Sequence, residues 1–154
     1  MKPQYIRIDE DGNKFTYKDK EMKVLHSETG PAMEFVDGSK YWLENGELHR
    51  NYGPASVHEN GNTFWYKHGV AHRENGPALE FVDGSKSWFL NGKRHRTDGP
   101  AIICATGIKL WYLNDKQVTQ EEHARLTKKV TTVNINGKEF TLEELNSLIE
   151  TVKR

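Results

Sequence analysis

The chain has 154 residues, with 22 basic against 22 acidic side chains. That is one domain's worth of material, long enough to bury a core, and a formal charge of zero argues against general attraction to nucleic acid or anionic membrane. A single cysteine, Cys104, rules out an internal disulfide, and no stretch approaches the ~20 apolar residues needed to span a bilayer.

The opening Met1-Lys2-Pro3-Gln4-Tyr5 lacks the apolar run of a secretion signal, so the expectation is a cytoplasmic protein with no membrane role. Residues 4–25 read as a degenerate first unit. Ile6 and Ile8 alternate with polar neighbours, Asp11-Gly12 suits the positive φ angles of a type I′ turn, and Phe15 and Tyr17 follow on a return strand. Asp19-Lys20 stands where later units place Asn-Gly. This unit lacks a tryptophan, as suits an end repeat with one neighbour to bury against.

From residue 26 to 118 the chain repeats with a period of 23. Trp42, Trp65, Trp88 and Trp111 keep that spacing, and so do His26, His49, His72 and His95, and Pro31, Pro54, Pro77 and Pro100. In each unit Gly-Pro-Ala opens a short strand, which Asp37-Gly38, Asn60-Gly61, Asp83-Gly84 or Thr106-Gly107 turns. A second strand then carries the tryptophan to Asn45-Gly46, His68-Gly69, Asn91-Gly92 or Asn114-Asp115. With two central residues in both turns, counting sets Ala32 opposite Leu43, Ala55 opposite Tyr66, Ala78 opposite Phe89 and Ala101 opposite Tyr112. Glu34 and Glu80 then share the alanine face. The other face pairs Trp42 with His49, Trp65 with His72 and Trp88 with His95, and carries Lys40, Lys86 and Lys109. The expected fold is mainly β, a twisted antiparallel meander of stacked hairpins advancing two strands per repeat.

The pattern changes after residue 118, which places the repeat domain at 1–118 and a helix, hairpin and helix cap at 119–154. Thr119-Gln120-Glu121-Glu122 has the capping-box form and predicts a helix over about 120–129. Thr132 to Ile135, Asn136-Gly137 and Lys138 to Phe140 read as a hairpin. Thr141-Leu142-Glu143-Glu144 opens a second helix with Leu142, Leu145, Leu148, Ile149 and Val152 along one side. That stripe either closes the open end of the sheet or forms a homo-oligomer contact with a second subunit.

The candidate binding residues are the repeated Trp42, Trp65, Trp88, His49, His72, His95, Arg50, Arg73 and Arg96. Equivalent histidines two strands apart are separated by roughly 10 Å. Zinc ligands lie about 2 Å from one ion, so no two histidines of this row can share it, and neither metal nor cofactor is expected. The expectation for each histidine is that its ring packs on the cross-strand tryptophan and bonds a turn carbonyl. The arginines either pair with nearby carboxylates or line a strip for phosphates or acidic side chains, with an aromatic ring on which a base could stack. No G-x-S-x-G, H-E-x-x-H, P-loop or G-x-G-x-x-G occurs. Cys104, inside Ile102-Ile103-Cys104-Ala105, reads as inert filling. No catalytic residue is assigned.

The string W-x-x-N-G-x-x-H, the D-G that follows and the 23-residue period resemble MORN repeats, which form stacked β-hairpins. His49-Arg50-Asn51-Tyr52-Gly53-Pro54-Ala55 departs from the usual MORN unit, where Gly follows the histidine. The form H-R-x-x-G-P-A is more similar to short repeat proteins of large tailed bacteriophages. The resemblance covers roughly residues 26–118 and implies a small accessory protein in the host cytoplasm that binds and inhibits or retargets a host protein. Sequestration of a small phosphorylated or nucleotide ligand and a structural or scaffold role are the alternatives.

Overall fold

A computed structural model describes residues 3–128, 132–141, 144–145, 148–149 and 151. The chain forms two compact units, Met1–His123 and Ala124–Arg154. The first holds an eleven-stranded sheet whose neighbours are antiparallel and follow chain order. It begins with β1 (Tyr5–Ile8) and β2 (Lys14–Tyr17), followed by Met33–Glu34, Lys40–Tyr41, Ser56–Val57, Thr63–Phe64, Leu79–Glu80 and Lys86–Ser87. Ile102–Ile103, Lys109–Leu113 and Lys116–Val118 complete it. The architecture is thus the expected mainly β hairpin meander.

Three repeats also make a second hairpin outside the large sheet. Leu43–Glu44 pairs with Glu47–Leu48, Tyr66–Lys67 with Val70–Ala71, and Phe89–Leu90 with Lys93–Arg94. The chain leaves the large sheet at the tryptophan, whose amide bonds the alanine carbonyl of the next repeat: Trp42 to Ala55, Trp65 to Ala78 and Trp88 to Ala101, at 2.7–2.8 Å. These alanines, with Ala32, have no exposed surface.

The two turns of a repeat look alike in sequence and differ in structure. In the second turn both central residues take positive φ, as at Asn45 (53°) and Gly46 (86°). This is the two-residue type I′ hairpin. In the first turn only the glycine does, as at Gly38 (95°) and Gly84 (89°). There Phe35 N–H donates to Ser39 C=O and Gly38 N–H to Phe35 C=O, a three-residue loop whose glycine forms a bulge. The aspartate keeps its ordinary backbone because its side chain accepts the amide two residues on, Asp37 from Ser39 at 2.7 Å and Asp83 from Ser85 at 2.8 Å. Asp11-Gly12 belongs to the same class, with Gly12 N–H on Asp9 C=O and Asp9 N–H on Asn13 C=O, and is not type I′.

One extra loop residue shifts the register by one. Met33 lies opposite Tyr41, and Ala32 N–H bonds Tyr41 C=O, so Ala32 does not face Leu43. Likewise Leu79 pairs with Ser87, and Ala78 N–H bonds Ser87 C=O in place of the expected Phe89 pairing. Glu34 and Lys40 become direct partners, as do Glu80 and Lys86, so the acidic and basic residues expected on opposite faces share one. Lys14 Nζ also reaches Glu34 at 2.7 Å. On the other side of the sheet six rings meet in a row: Phe15, Phe35, Tyr41, His58, Phe64 and Phe81, with successive centroids 5.0–6.0 Å apart.

Repeats are joined by two sets of side-chain bonds. Along the first turns, Asn13 accepts the amide of Val36, Ser39 that of Glu59, Asn62 that of Val82 and Ser85 that of Ala105, at 2.9–3.0 Å. Along the second turns the acceptors are the histidines described below. Backbone bonds run beside them from Gly46 to Leu25, Gly69 to Leu48, Gly92 to Ala71 and Asp115 to Arg94.

The first unit ends within α1 (Gln120–Thr127). Its capping box forms as expected, Thr119 N–H on Glu122 and Glu122 N–H on Thr119 Oγ1, at 3.0 and 3.1 Å. His123 is buried, its ring 4.7 Å from that of Trp111, which carries the repeat unit past 118 into this helix. In the second unit Thr132–Ile135 pairs with Lys138–Thr141 across Asn136-Gly137. Thr141 and Glu144 make the second capping box at 2.8 and 3.1 Å. Glu144, Leu145, Leu148, Ile149 and Thr151 are helical, while Leu142 and Val152 lie outside the described residues. Among the described residues no helix is long and apolar enough to cross a membrane.

In the opening unit Met22, not Asp19, occupies the left-handed position of Asn45, with φ 55°. Asp19 instead accepts the amides of Lys23 and Val24, both at 2.9 Å. A long side chain is a poor occupant of that backbone region. Replacing Met22 by Gly is expected to raise stability by about 0.5–1 kcal/mol, read as a higher urea midpoint with unchanged slope. A lowered midpoint would mean that the methionine side chain contributes packing that outweighs the relief.

Candidate binding grooves

The tryptophan, histidine and arginine of each repeat are brought together by the second hairpin. Its register returns the histidine opposite the tryptophan, with His49 N–H on Trp42 C=O, His72 on Trp65 and His95 on Trp88 at 3.0–3.1 Å. The next residue, arginine, folds back over the indole. Its Cζ lies 3.9 Å from the ring centroid for Arg50 on Trp42, 3.8 Å for Arg73 on Trp65 and 4.0 Å for Arg96 on Trp88. Nη1 donates to the proline carbonyl four residues on, Pro54, Pro77 or Pro100, at 3.0–3.3 Å. The guanidinium's other neighbour is the glycine of Gly-Pro-Ala. A Cβ at Gly53 or Gly76 would lie 3.1 Å from the arginine side chain, and one at Gly99 only 2.8 Å from Arg96 Cζ. Trp, Arg and Gly recur together because they are three layers of one stack, held by a cation–π contact of about 0.5–2 kcal/mol.

The histidines act between repeats, with the opposite hydrogen-bond sense from that expected. Nδ1 of His26 accepts the amide of Asn45, His49 that of His68, His72 that of Asn91 and His95 that of Asn114, at 3.0–3.2 Å. The partner is a turn N–H of the next repeat, not a turn carbonyl, because the positive-φ residue of each type I′ turn points its amide at the preceding ring. Nδ1 is therefore the acceptor and Nε2 carries the proton. The last repeat, that of Trp111, has no such histidine. Val118 stands opposite Trp111, and His123 of α1 covers that indole while its Nε2 donates to Arg96 C=O at 2.6 Å.

His68, which replaces the turn asparagine, stacks on His49 with centroids 4.1 Å apart, and Glu44 joins them, so that one donor atom from each lies within 4.8 Å of the others. The chemistry of the set does not fit a metal. With Nδ1 of His49 accepting the His68 amide, Nε2 holds the proton, 3.1 Å from Asn51 Oδ1 and 3.5 Å from Glu44. It has no lone pair to offer an ion. Ser56 and His58 lie 2.8 Å apart, but Ser56 is 2 % exposed, so its hydroxyl is a core group and not an accessible nucleophile.

All nine candidate residues line three successive grooves along the H-R-x-x-G loops. The first, about 390 Å³, has Trp42, His49 and Arg50 in its wall; the second, about 600 Å³, Trp65, His49, Arg50, His72 and Arg73; the third, about 630 Å³, Trp88, Arg73, His95 and Arg96. Adjacent grooves share a loop, so they form one row. Two further lining residues break the repeat. Tyr52, 91 % exposed, borders the first two grooves, and Lys67 borders the second. Both depart from the repeat at aligned positions, Tyr52 standing where Thr29, Asn75 and Asp98 do, and Lys67 where Glu44, Leu90 and Leu113 do.

Charge is balanced within parts of the row. Arg96 Nε meets Asp98 at 2.8 Å and Arg73 Nη1 meets Glu80 at 3.5 Å. The hydrogen bond from Arg96 holds the Asp98 carboxyl below its ordinary value, and those from Arg94 do the same for Asp115. Comparison of the chain with models of known protein families and with curated proteins finds no match to either.

Two outcomes are expected. Gly99→Ala lowers stability by about 1–2 kcal/mol by displacing Arg96 from Trp88. The cost disappears in an Arg96→Ala background, and Gly30→Ala, which meets nothing within 4 Å, is tolerated. Equal costs for the two glycines would remove the stacking account. The second concerns pH. A carboxyl with a lowered folded-state pKa contributes stability above the unfolded value and loses it as pH falls through the folded value. Stability is thus expected to fall on acidification below about pH 4, less steeply in Asp115→Asn than in the parent. Parallel acid-unfolding curves would show that the Arg94–Asp115 pair contributes nothing.

Proposed function

We propose that this chain is a non-enzymatic binding protein whose row of grooves grips a segment of a protein partner. The observation that carries the reading is that nine side chains of three types line three consecutive grooves while the histidines and arginines are held by internal hydrogen bonds and the tryptophans by the stacked guanidiniums. A surface so held loses little conformational entropy on association, which favours binding by an extended partner. The resemblance of the H-R-x-x-G-P-A units to repeat proteins of large tailed bacteriophages makes a host protein, met in the host cytoplasm, the proposed partner. The reading of the same strip as a nucleotide binder has less support. The indole face on which a base would stack is already covered by a guanidinium, and one edge of that guanidinium is spent on a proline carbonyl.

The test is capture from a host-cell lysate on the immobilised protein, compared with a variant in which Thr29→Trp, Asn75→Trp and Thr97→Trp fill the grooves from exposed loop positions. One protein retained by the parent and lost by the folded variant is the expected result. Background alone on the parent, or equal retention by both, would overturn the reading.

A further inference from the structure

The three grooves share a plan but not a charge. The first is lined by one permanent cation, Arg50, against Glu28 and Glu44; the third by Arg73 and Arg96 against Glu74 and Asp98. The second has Arg50, Lys67 and Arg73 against Glu74 alone. The excess arises where the repeat is broken. Arg73 has Glu80 at 3.5 Å and Arg96 has Asp98 at 2.8 Å. At Arg50 the residue aligned with Glu80 is Val57 and the residue aligned with Asp98 is Tyr52. Both internal carboxylates are therefore missing together, and among the described residues Arg50 has no ion pair. The guanidinium keeps its Trp42 stack and its Pro54 bond, which leave further N–H donors of the planar fork unspent. Lys67 adds a second cation where Glu44 or Leu90 would stand, and Tyr52 raises an exposed ring at the rim.

We infer that the middle groove recognises a carboxylate side chain of the partner, an aspartate or glutamate in an extended segment laid along the row, with Arg50 and Lys67 as its cationic ligands and Tyr52 packing over the stem. Successive grooves repeat every two strands, roughly 10 Å, and in a segment of polyproline II conformation, with three residues per turn and a rise of about 3.1 Å, residues three apart point the same way about 9 Å on. Side chains at i, i+3 and i+6 thus reach the three grooves in turn, with the acidic one in the centre. The flanking grooves carry enough of their own carboxylate to disfavour a second acid beside it. This inference rests on the proposed grip of a protein segment, and it assigns the specificity of that grip to one groove.

The experiment is selection of a displayed library of random short peptides on the intact protein, on Lys67→Glu, and on Tyr52→Ala. Both positions are exposed, so thermal unfolding is expected to match the parent and serves as the control for folding. Sequences selected by the parent are expected to be enriched in Asp or Glu at one position. Fluorescence anisotropy of a selected peptide is expected to show its Kd weakened on the order of tenfold by Lys67→Glu and by exchange of its acid for the amide. Selection without acidic enrichment, or affinities unchanged by Lys67→Glu, overturns the carboxylate site. If Lys67→Glu nevertheless keeps the lysate partner that the groove-filled variant loses, the protein-binding reading stands without it. Stronger thermal stabilisation by ATP than by any selected peptide would reassign the groove to a phosphate ligand and would also overturn the proposal.

Discussion

In a stack of hairpins every turn aims backbone N–H groups at its neighbour, where each needs an acceptor, and a bond made there contributes about 0.5–1.5 kcal/mol. The repeat solves this with side chains. At the first turns Asn13, Ser39, Asn62 and Ser85 take the amide of the following repeat, and at the second turns His26, His49, His72 and His95 do so through Nδ1. Both sets point the same way along the chain, so each repeat is completed by the one before it. The histidine spacing that suggests a functional row is first of all the spacing of these turn amides.

The second recurrent unit, tryptophan under arginine under glycine, follows from the same economy. Once the chain leaves the large sheet at Trp42, Trp65 or Trp88, the indole would lie open along the loop edge. The guanidinium covers it, ties the loop to a proline carbonyl, and requires that the next layer have no Cβ. The grooves are the spaces between successive stacks. Their walls are rigid for structural reasons, and variation is confined to positions the stacks do not use. Tyr52, Val57 and Lys67 are such positions, and there the middle groove acquires its unbalanced charge.

Much of this could be read from the chain. The period, the two turns per repeat, both capping boxes and the last hairpin form where the residues place them, and the nine repeated side chains do converge on one row. The misreadings share a cause. Asp37-Gly38 and Asn45-Gly46 are nearly the same dipeptide, yet one is the end of a three-residue loop and the other a complete two-residue turn. Counting them alike displaced Ala32, Glu34 and Lys40 by one pairing. Nothing in the chemistry of Met22 favours the left-handed backbone it adopts. The row from Phe15 to Phe81 went unread because it alternates between strands and includes His58.

What the residues dictate on their own is local: where the chain turns, where helices begin, and that one unit is reiterated, since turn preference and capping depend on residues within a few positions of each other. The register, the donor sense of the histidine bonds and which of the three stacked arginines is left without a carboxylate are settled by the packed fold. The histidine bonds reach residues 19 away in sequence, and the register turns on a single added loop residue.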